Sequence, residues 1–342
     1  MKNWIRIVVI ACTASLGSSL FAWDYEGHRM VNQLALAGLP EDFPAFVREP
    51  AAAERIAFLA GEPDRWRNVQ DLPIKHGNGL DHYCDVEYFA KAGLDARTVS
   101  PLRYQFAAQF AAGRAAHADK FAPIDGAKNA DHVQEWGGFA PWEITEMFGK
   151  LKSGFSYLKA LEDLGTPEEV ANARANILYI MGVMGHYVGD LAQPLHTTEH
   201  FNGWVGENPK NFTRWNGFHA WIDGGFIAHA GITLEVLRPR ARPGALLGST
   251  RSAQGRDPVF DAVIEYLLRQ HEQVEPLYQL EQDGRLSRQH APADPVAVDF
   301  ISGQLLRGGE MLASLWVTAW RTAGPDTYLR AQLIKRQAAA AQ

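Results

Sequence analysis

Cysteine is nearly absent from this chain of 342 residues, which contains only Cys12 and Cys84. Cys12 lies in an N-terminal segment that reads as a removable leader, so Cys84 is left alone and no intramolecular disulfide can form. Stability then has to come from packing or from bound metal. Long apolar runs are also missing after residue 22, which excludes a membrane-spanning helix from the rest of the chain. Strand-like alternation is scarce, and neither an internal repeat nor a linker-like stretch divides the sequence. Positive charge is not in excess. The formal net charge is -6, and about -8 once Lys2 and Arg6 are removed with the leader. Such a chain does not present a broad basic surface to duplex nucleic acid, although bound divalent cations would reverse the sign locally.

The leader has Lys2 and Arg6, then an apolar run from Ile7 to Ala14, then small residues ending at Phe21-Ala22. That order predicts a secretory signal peptide over 1–22, cleaved after Ala22, and a secreted or periplasmic product. The alternative is a lipoprotein box, Val9-Ile10-Ala11-Cys12, but the apolar run before Cys12 is short for it. Apolar residues recur at helical spacing over Met30 to Leu39, Ala52 to Leu59, Leu102 to Ala116, Pro141 to Leu164, Pro167 to Leu191, Pro258 to Tyr278 and Asp299 to Thr322. An all-α fold of roughly eight to eleven helices is expected, as one compact domain over 23–335 with a frayed tail over 336–342. Thr166-Pro167 followed by Glu168 and Glu169 marks a helix start, and Pro194 ends that helix. The stretch from Arg238 to Asp257 reads as a surface loop.

Twelve histidines are present, and several stand beside carboxylates at ligand spacing. In Gly185-His186-Tyr187-Val188-Gly189-Asp190 the imidazole and carboxylate are four residues apart, hence on one helix face. His196 follows in Gln193-Pro194-Leu195-His196. The four-residue step returns at His219 and Asp223. Upstream, Asp81-His82-Tyr83-Cys84-Asp85 and Glu62-Pro63-Asp64-Arg65 add donors, and Trp23-Asp24-Tyr25-Glu26-Gly27-His28 follows the cleavage site. The face around His186 holds Ile177, Ile180, Met181 and Met184, a setting in which charge demands a partner or a metal. His76, His117, His132, His229, His271 and His290 lack such company and read as solvated or structural, and His200 as a lining residue rather than a ligand. Cys84 reads as a small buried hydrophobe.

These residues, in this order, resemble the zinc-dependent single-strand nucleases of fungi and plants and the bacterial zinc phospholipases C that share their fold. The resemblance rests on Trp23, Gly27-His28, Asp64, His82, the run from Gly185 to His196, and His219 with Asp223. It implies three zinc ions. Asp64, His82, His186 and Asp190 would hold the first, and His196, His219 and Asp223 the second. The third would take the amine and carbonyl of Trp23 with His28 and Asp190, so signal removal would free a ligand. Two departures stand out: Ile222 precedes the last carboxylate where the nucleases have Trp, and Asp223 stands where the phospholipases have Glu.

The expected reaction is metal-activated attack of water on phosphorus, with Asp64 orienting the water and accepting its proton and the second zinc steadying the leaving oxygen. The expected substrate is single-stranded DNA or RNA. Phospholipid head groups are the alternative, and a non-catalytic zinc-binding protein the second alternative. Trp66, Tyr83, Trp136, Trp142, Trp204 and Trp215 are the aromatic candidates for stacking bases. No protein partner is predicted.

Overall fold

Each apolar periodicity becomes helical in the computed structural model, which describes residues 23–248 and 255–341. The longer helices are α1 (Tyr25–Ala37), α2 (Pro50–Leu59), α4 (Leu72–Leu80), α6 (Arg103–Ala116), α7 (Ala140–Leu164), α8 (Pro167–Ala192), α12 (Pro258–His271), α13 (Val274–Gln282), α14 (Pro295–Thr322) and α15 (Thr327–Ala340). Short helices fill the connections: α3 (Glu62–Arg67), α5 (Val86–Lys91), α9 (Phe218–Ala220), α10 (Phe226–Ala230) and α11 (Leu234–Leu237). No strand occurs among the described residues, and no helix there is long and apolar enough to cross a membrane. The expected signal peptide lies outside the described residues.

Helix α8 starts as its sequence predicts. The Thr166 hydroxyl accepts from Glu169 N, and the Glu169 carboxylate accepts from Thr166 N at 2.8 Å, a reciprocal cap. One segment departs from expectation. The periodicity over Pro258 to Tyr278 forms two helices, because Pro276 has no amide hydrogen and its ring would clash with the Glu272 carbonyl in a continuous helix. Helix α15 runs through Ala340, and its Arg336 makes a two-pronged bond to Glu169 at 2.7 and 2.8 Å.

The core is built on three long helices. α7 and α8 form a hairpin through Gly165-Thr166, and α14 packs on both and on α1. Trp316, Leu312 and Leu315 of α14 meet Leu34 and Val31 of α1 and Met181, Met184 and Val188 of α8 in one continuous apolar cluster. The C-terminal half of α8 is buried all round, so a carboxylate there has no route to water except through the site it helps to build.

Candidate metal centre

Two glycines let α1 reach the functional face of α8. A Cβ at Gly185 would lie 1.6 Å from Asn32 Oδ1, and one at Gly189 would lie 2.9 Å from His28 Nδ1. Asn32 is held in turn, its amide donating to the carbonyls of Ile56 and Gly182 at 2.8 and 3.0 Å. His28 of α1 thereby stacks on His186 of α8, ring centroids 3.9 Å apart. Trp23 is fully buried and donates its indole N–H to Gly189 O at 2.8 Å, while Asp24 N bonds Asp223 O at 3.1 Å. Asp24 also caps α1 through Gly27 N.

The loop after α4 carries His82 and runs beside the turn that carries His196. Cys84 N donates to His196 O at 2.9 Å, and His196 Nδ1 faces His82 O at 2.8 Å. Gly138, at φ 92°, passes so close that a Cβ would sit 2.1 Å from Tyr83 O. Only glycine lets that loop support His82 from behind. His219 and Asp223 follow from α9 into a wider π-turn over Trp221–Gly225.

The separate segments converge on three groups: His28, His186 and Asp190; Asp64, His82 and His186; and His196, His219 and Asp223. Asp190 is the centre. Its Oδ2 lies 3.0 Å from His82 Nδ1 and 3.3 Å from His186 Nε2, and its Oδ1 lies 3.5 Å from His28 Nε2 and 3.7 Å from His196 Nδ1. Asp64 Oδ1 is 3.9 Å from His186 Nε2 and 4.0 Å from His82 Nδ1. His219 Nε2 is 3.0 Å from Asp223 Oδ2 and from His196 Nε2. His186 thus belongs to two groups, including the one with His28.

The donor chemistry of these groups fits metal cations. His186 Nδ1 faces Ala60 O at 2.6 Å, a partner that only accepts, so the neutral ring carries its proton there. Its Nε2 is then a bare lone pair aimed at two carboxylates and at His82 Nδ1, 2.9 Å away. His196 is arranged alike, with Nδ1 on His82 O and Nε2 on His219. Acceptors facing acceptors repel unless a proton or cation lies between them. Both nitrogens of His28, both oxygens of Asp190, His82 Nε2 and Asp223 Oδ2 are buried without a hydrogen-bond partner, which is costly for the bare protein.

Electrostatics follow from the burial. Burial, then the neighbouring His186, holds His28 well below the usual imidazole value. Burial, then Arg67, does the same to His82. Burial also lowers His196 against the pull of Asp190. His186 moves the other way: burial opposes its charge, but Asp190 and Asp64 outweigh it. Asp190 is held well below the carboxylate range because His186, His196 and His82 overcome burial. Asp64 is raised, since burial outweighs His186 and Arg67.

A cleft of ≈ 490 Å³ opens onto His82, His196 and His219. Arg67, Lys75, Arg114, Tyr83 and Trp136 are among the residues that line it. Of the six aromatic candidates, only Tyr83 and Trp136 belong to this lining. Trp142 is buried and stacked on Phe106, Trp204 stacks on His200, and Trp215 lies beside Arg288. Asp81 turns away from the centre to Arg103, which also binds Glu143; burial pushes Asp81 up to about 7 against the pull of Arg103. Glu62 pairs with Arg65. His200 joins none of the three groups, and its Nδ1 accepts from Val205 N. His76, His229 and His271 face backbone carbonyls, and His132 pairs with Glu135. Cys84 is buried, and burial together with Asp85 drives its thiol well above the usual value.

Two participants carried no signal of their own in the sequence. Gln193 is fully buried, donates to Asp223 Oδ1 at 2.7 Å and accepts from Leu195 N at 2.7 Å. Arg67 lies 3.0 Å from Asp64 Oδ1, three residues on along α3. The position of Gln193 between Asp190 and His196 was the available hint, and the i, i+3 step was the hint for Arg67. Buried His and Asp clusters able to hold metal ions are therefore present at the floor of a cleft. No protein-family model, no curated protein and no solved structure matches this chain.

Proposed function

We propose that the chain is an exported zinc-dependent hydrolase of phosphate esters, acting on single-stranded nucleic acid. The observation that carries this reading is the convergence of three His and Asp groups, two of them sharing His186, beneath a cleft lined by Arg67, Lys75 and aromatic rings. Mixed imidazole and carboxylate ligands suit zinc, and the orphaned buried lone pairs call for cations. Asp64, His82, His186 and Asp190 would hold one ion, and His196, His219 and Asp223 a second. His28 and Asp190, with the amine and carbonyl of Trp23 once residues 1–22 are removed, would hold a third. The burial of Trp23 against Gly189, one residue before Asp190, supports that last assignment.

When bound, closely spaced zinc ions supply Lewis acidity and lower the pKa of water. The protein's own part is to place a proton acceptor and a cation beside the reacting phosphorus. Asp64 is that acceptor, with Arg67 against its Oδ1 to fix its orientation and to offset phosphate charge. Gln193 holds Asp223 so that Oδ2 stays free for a ligand.

A second reading, a phospholipase acting on lipid head groups, is favoured by the exposed apolar residues Ile124 and Phe201 in the same cleft. The discriminating experiment measures zinc content of protein beginning at Trp23 together with turnover of single-stranded DNA, RNA and a phosphatidylcholine dispersion. About three zinc ions with nucleic-acid cleavage is the expected result. Cleavage of lipid alone selects the second reading, and a protein that binds no zinc refutes both.

A further inference from the structure

Beyond the cleft above the His and Asp groups lies a second cavity of ≈ 590 Å³. The two share one wall, formed by Arg114, Ala122, Pro123, Ile124 and Trp136. Among the described residues, Arg114 is the only cation of that wall. It projects from the last turn of α6, where the helix dipole favours positive charge, and its guanidinium lies over the Phe121 ring at 4.4 Å. Its Nη1 is buried and has no hydrogen-bond partner.

The other cations of the inner cleft face carboxylates: Arg67 is against Asp64, and Lys75 is 3.7 Å from Asp131. Glu135, the acid of the outer cavity, is engaged through Oε1 by Asn129 and His132, while its Oε2 is buried without a hydrogen-bond partner. A buried guanidinium nitrogen without an acceptor is costly unless a ligand supplies one, and the planar donor fork it belongs to matches phosphate oxygens. Trp136, only partly buried, offers an aromatic surface beside it.

We infer that Arg114 forms a second phosphate subsite, binding the phosphate next to the one cut over the His and Asp groups. The inference rests on the phosphodiesterase reading and deepens it. The substrate is a chain of consecutive phosphodiesters, as in a single-stranded oligonucleotide, not a lipid with one phosphodiester. Binding runs along the groove, the scissile phosphate in the inner cavity and its neighbour at the shared wall.

The test compares wild type, Arg114→Gln and Arg114→Lys on bis(4-nitrophenyl) phosphate, a dinucleoside monophosphate, a trinucleoside diphosphate and a phosphatidylcholine dispersion. A parallel measurement follows binding of a phosphorothioate oligothymidylate by fluorescence anisotropy across a salt series. In wild type kcat/KM rises from the dinucleoside to the trinucleoside substrate. Arg114→Gln removes that gain, about tenfold, Arg114→Lys keeps most of it, and bis(4-nitrophenyl) phosphate turnover is unchanged. In Arg114→Gln the salt slope of binding falls by about 0.7. An equal loss on every substrate, an unchanged salt slope, or a loss confined to the lipid dispersion overturns the subsite. A wild type that cleaves nothing, with the slope change still present, sinks the phosphodiesterase reading and leaves the anion subsite standing.

Discussion

Gln193 Nε2 donates to Asp223 Oδ1 at 2.7 Å, and this bond leaves Asp223 Oδ2 directed at His219. Gln193 closes α8 and opens the turn bearing His196, so one amide ties together the three segments that carry Asp190, His196 and Asp223. Gln193→Ala should leave the fold in place at a cost of about 1–3 kcal/mol, from the carboxylate and the amide it orphans. Affinity for one metal ion should fall about 10–100-fold. Metal titration by calorimetry, together with urea denaturation, measures both. Unchanged affinity at every site would remove Gln193 from the metal centre.

Asp64 faces His186 and His82 while leaning on Arg67. Asp64→Asn keeps the shape and an oxygen ligand but removes the proton acceptor. Turnover should fall about 10²–10⁴-fold with the metal content close to that of wild type. Near-normal turnover at full metal content would exclude Asp64 as the base.

Gly185 lies where Asn32 Oδ1 crosses α8. Gly185→Ala drives Asn32 off two backbone carbonyls and pushes α1, with His28, away from His186. Overpacking of this kind costs about 1–3 kcal/mol, and the lost buried hydrogen bonds add to it. Gly149, where an added Cβ would meet nothing within 4 Å, is the control and tolerates alanine. Thermal denaturation of the two variants should differ clearly in midpoint, and equal midpoints would contradict the close approach.

In the metal-free protein the buried imidazoles should cost stability in mild acid. His28, His82 and His196 are held below their ordinary value when folded. Below about pH 6.5 the unfolded chain therefore takes up protons that these folded rings refuse, and their contribution to stability falls with pH. Asp190, also lowered, adds to the acid loss at still lower pH. His186 is raised and opposes the trend, and so do the raised carboxyls of Asp64, Asp81, Asp85 and Glu143, which take up protons more readily in the folded chain. The rings are therefore read by difference: from pH 7.5 to 5.5 the melting temperature of chelator-treated wild type should fall relative to that of chelator-treated His28→Gln. Added zinc should raise the midpoint most at pH 7.5, where protons compete least for the imidazoles. Parallel profiles in the two proteins would show that the His28 ring is not buried neutral.

The long helices were legible because their apolar faces repeat at helical spacing, and Thr166 with Glu169 announced its own cap. His186 with Asp190 and His219 with Asp223 were legible because an i, i+4 step is a local property. The break before Pro276 was visible in the residues but hidden by continuous apolarity on either side. Gln193 and Arg114 were not legible. An amide or a guanidinium gains meaning only from what faces it, and here Asp223 lies 30 residues away from Gln193 and the second cavity is built from α6 and the loop beyond it. Trp142 and Trp204 show the converse. A ring suited to stacking bases is equally suited to packing, and the neighbours Phe106 and His200 decide.

The buried thiol of Cys84 has a practical consequence. It is 1 % exposed and held in its protonated form by burial, so it does not compete for alkylating dyes in the folded state. With Cys12 changed to serine, a cysteine placed at the outward-facing Tyr328 of α15, which is 75 % exposed, would be the single reactive handle on the folded surface. A fluorophore or spin label there would report from the side chain of a terminal helix without touching any proposed ligand.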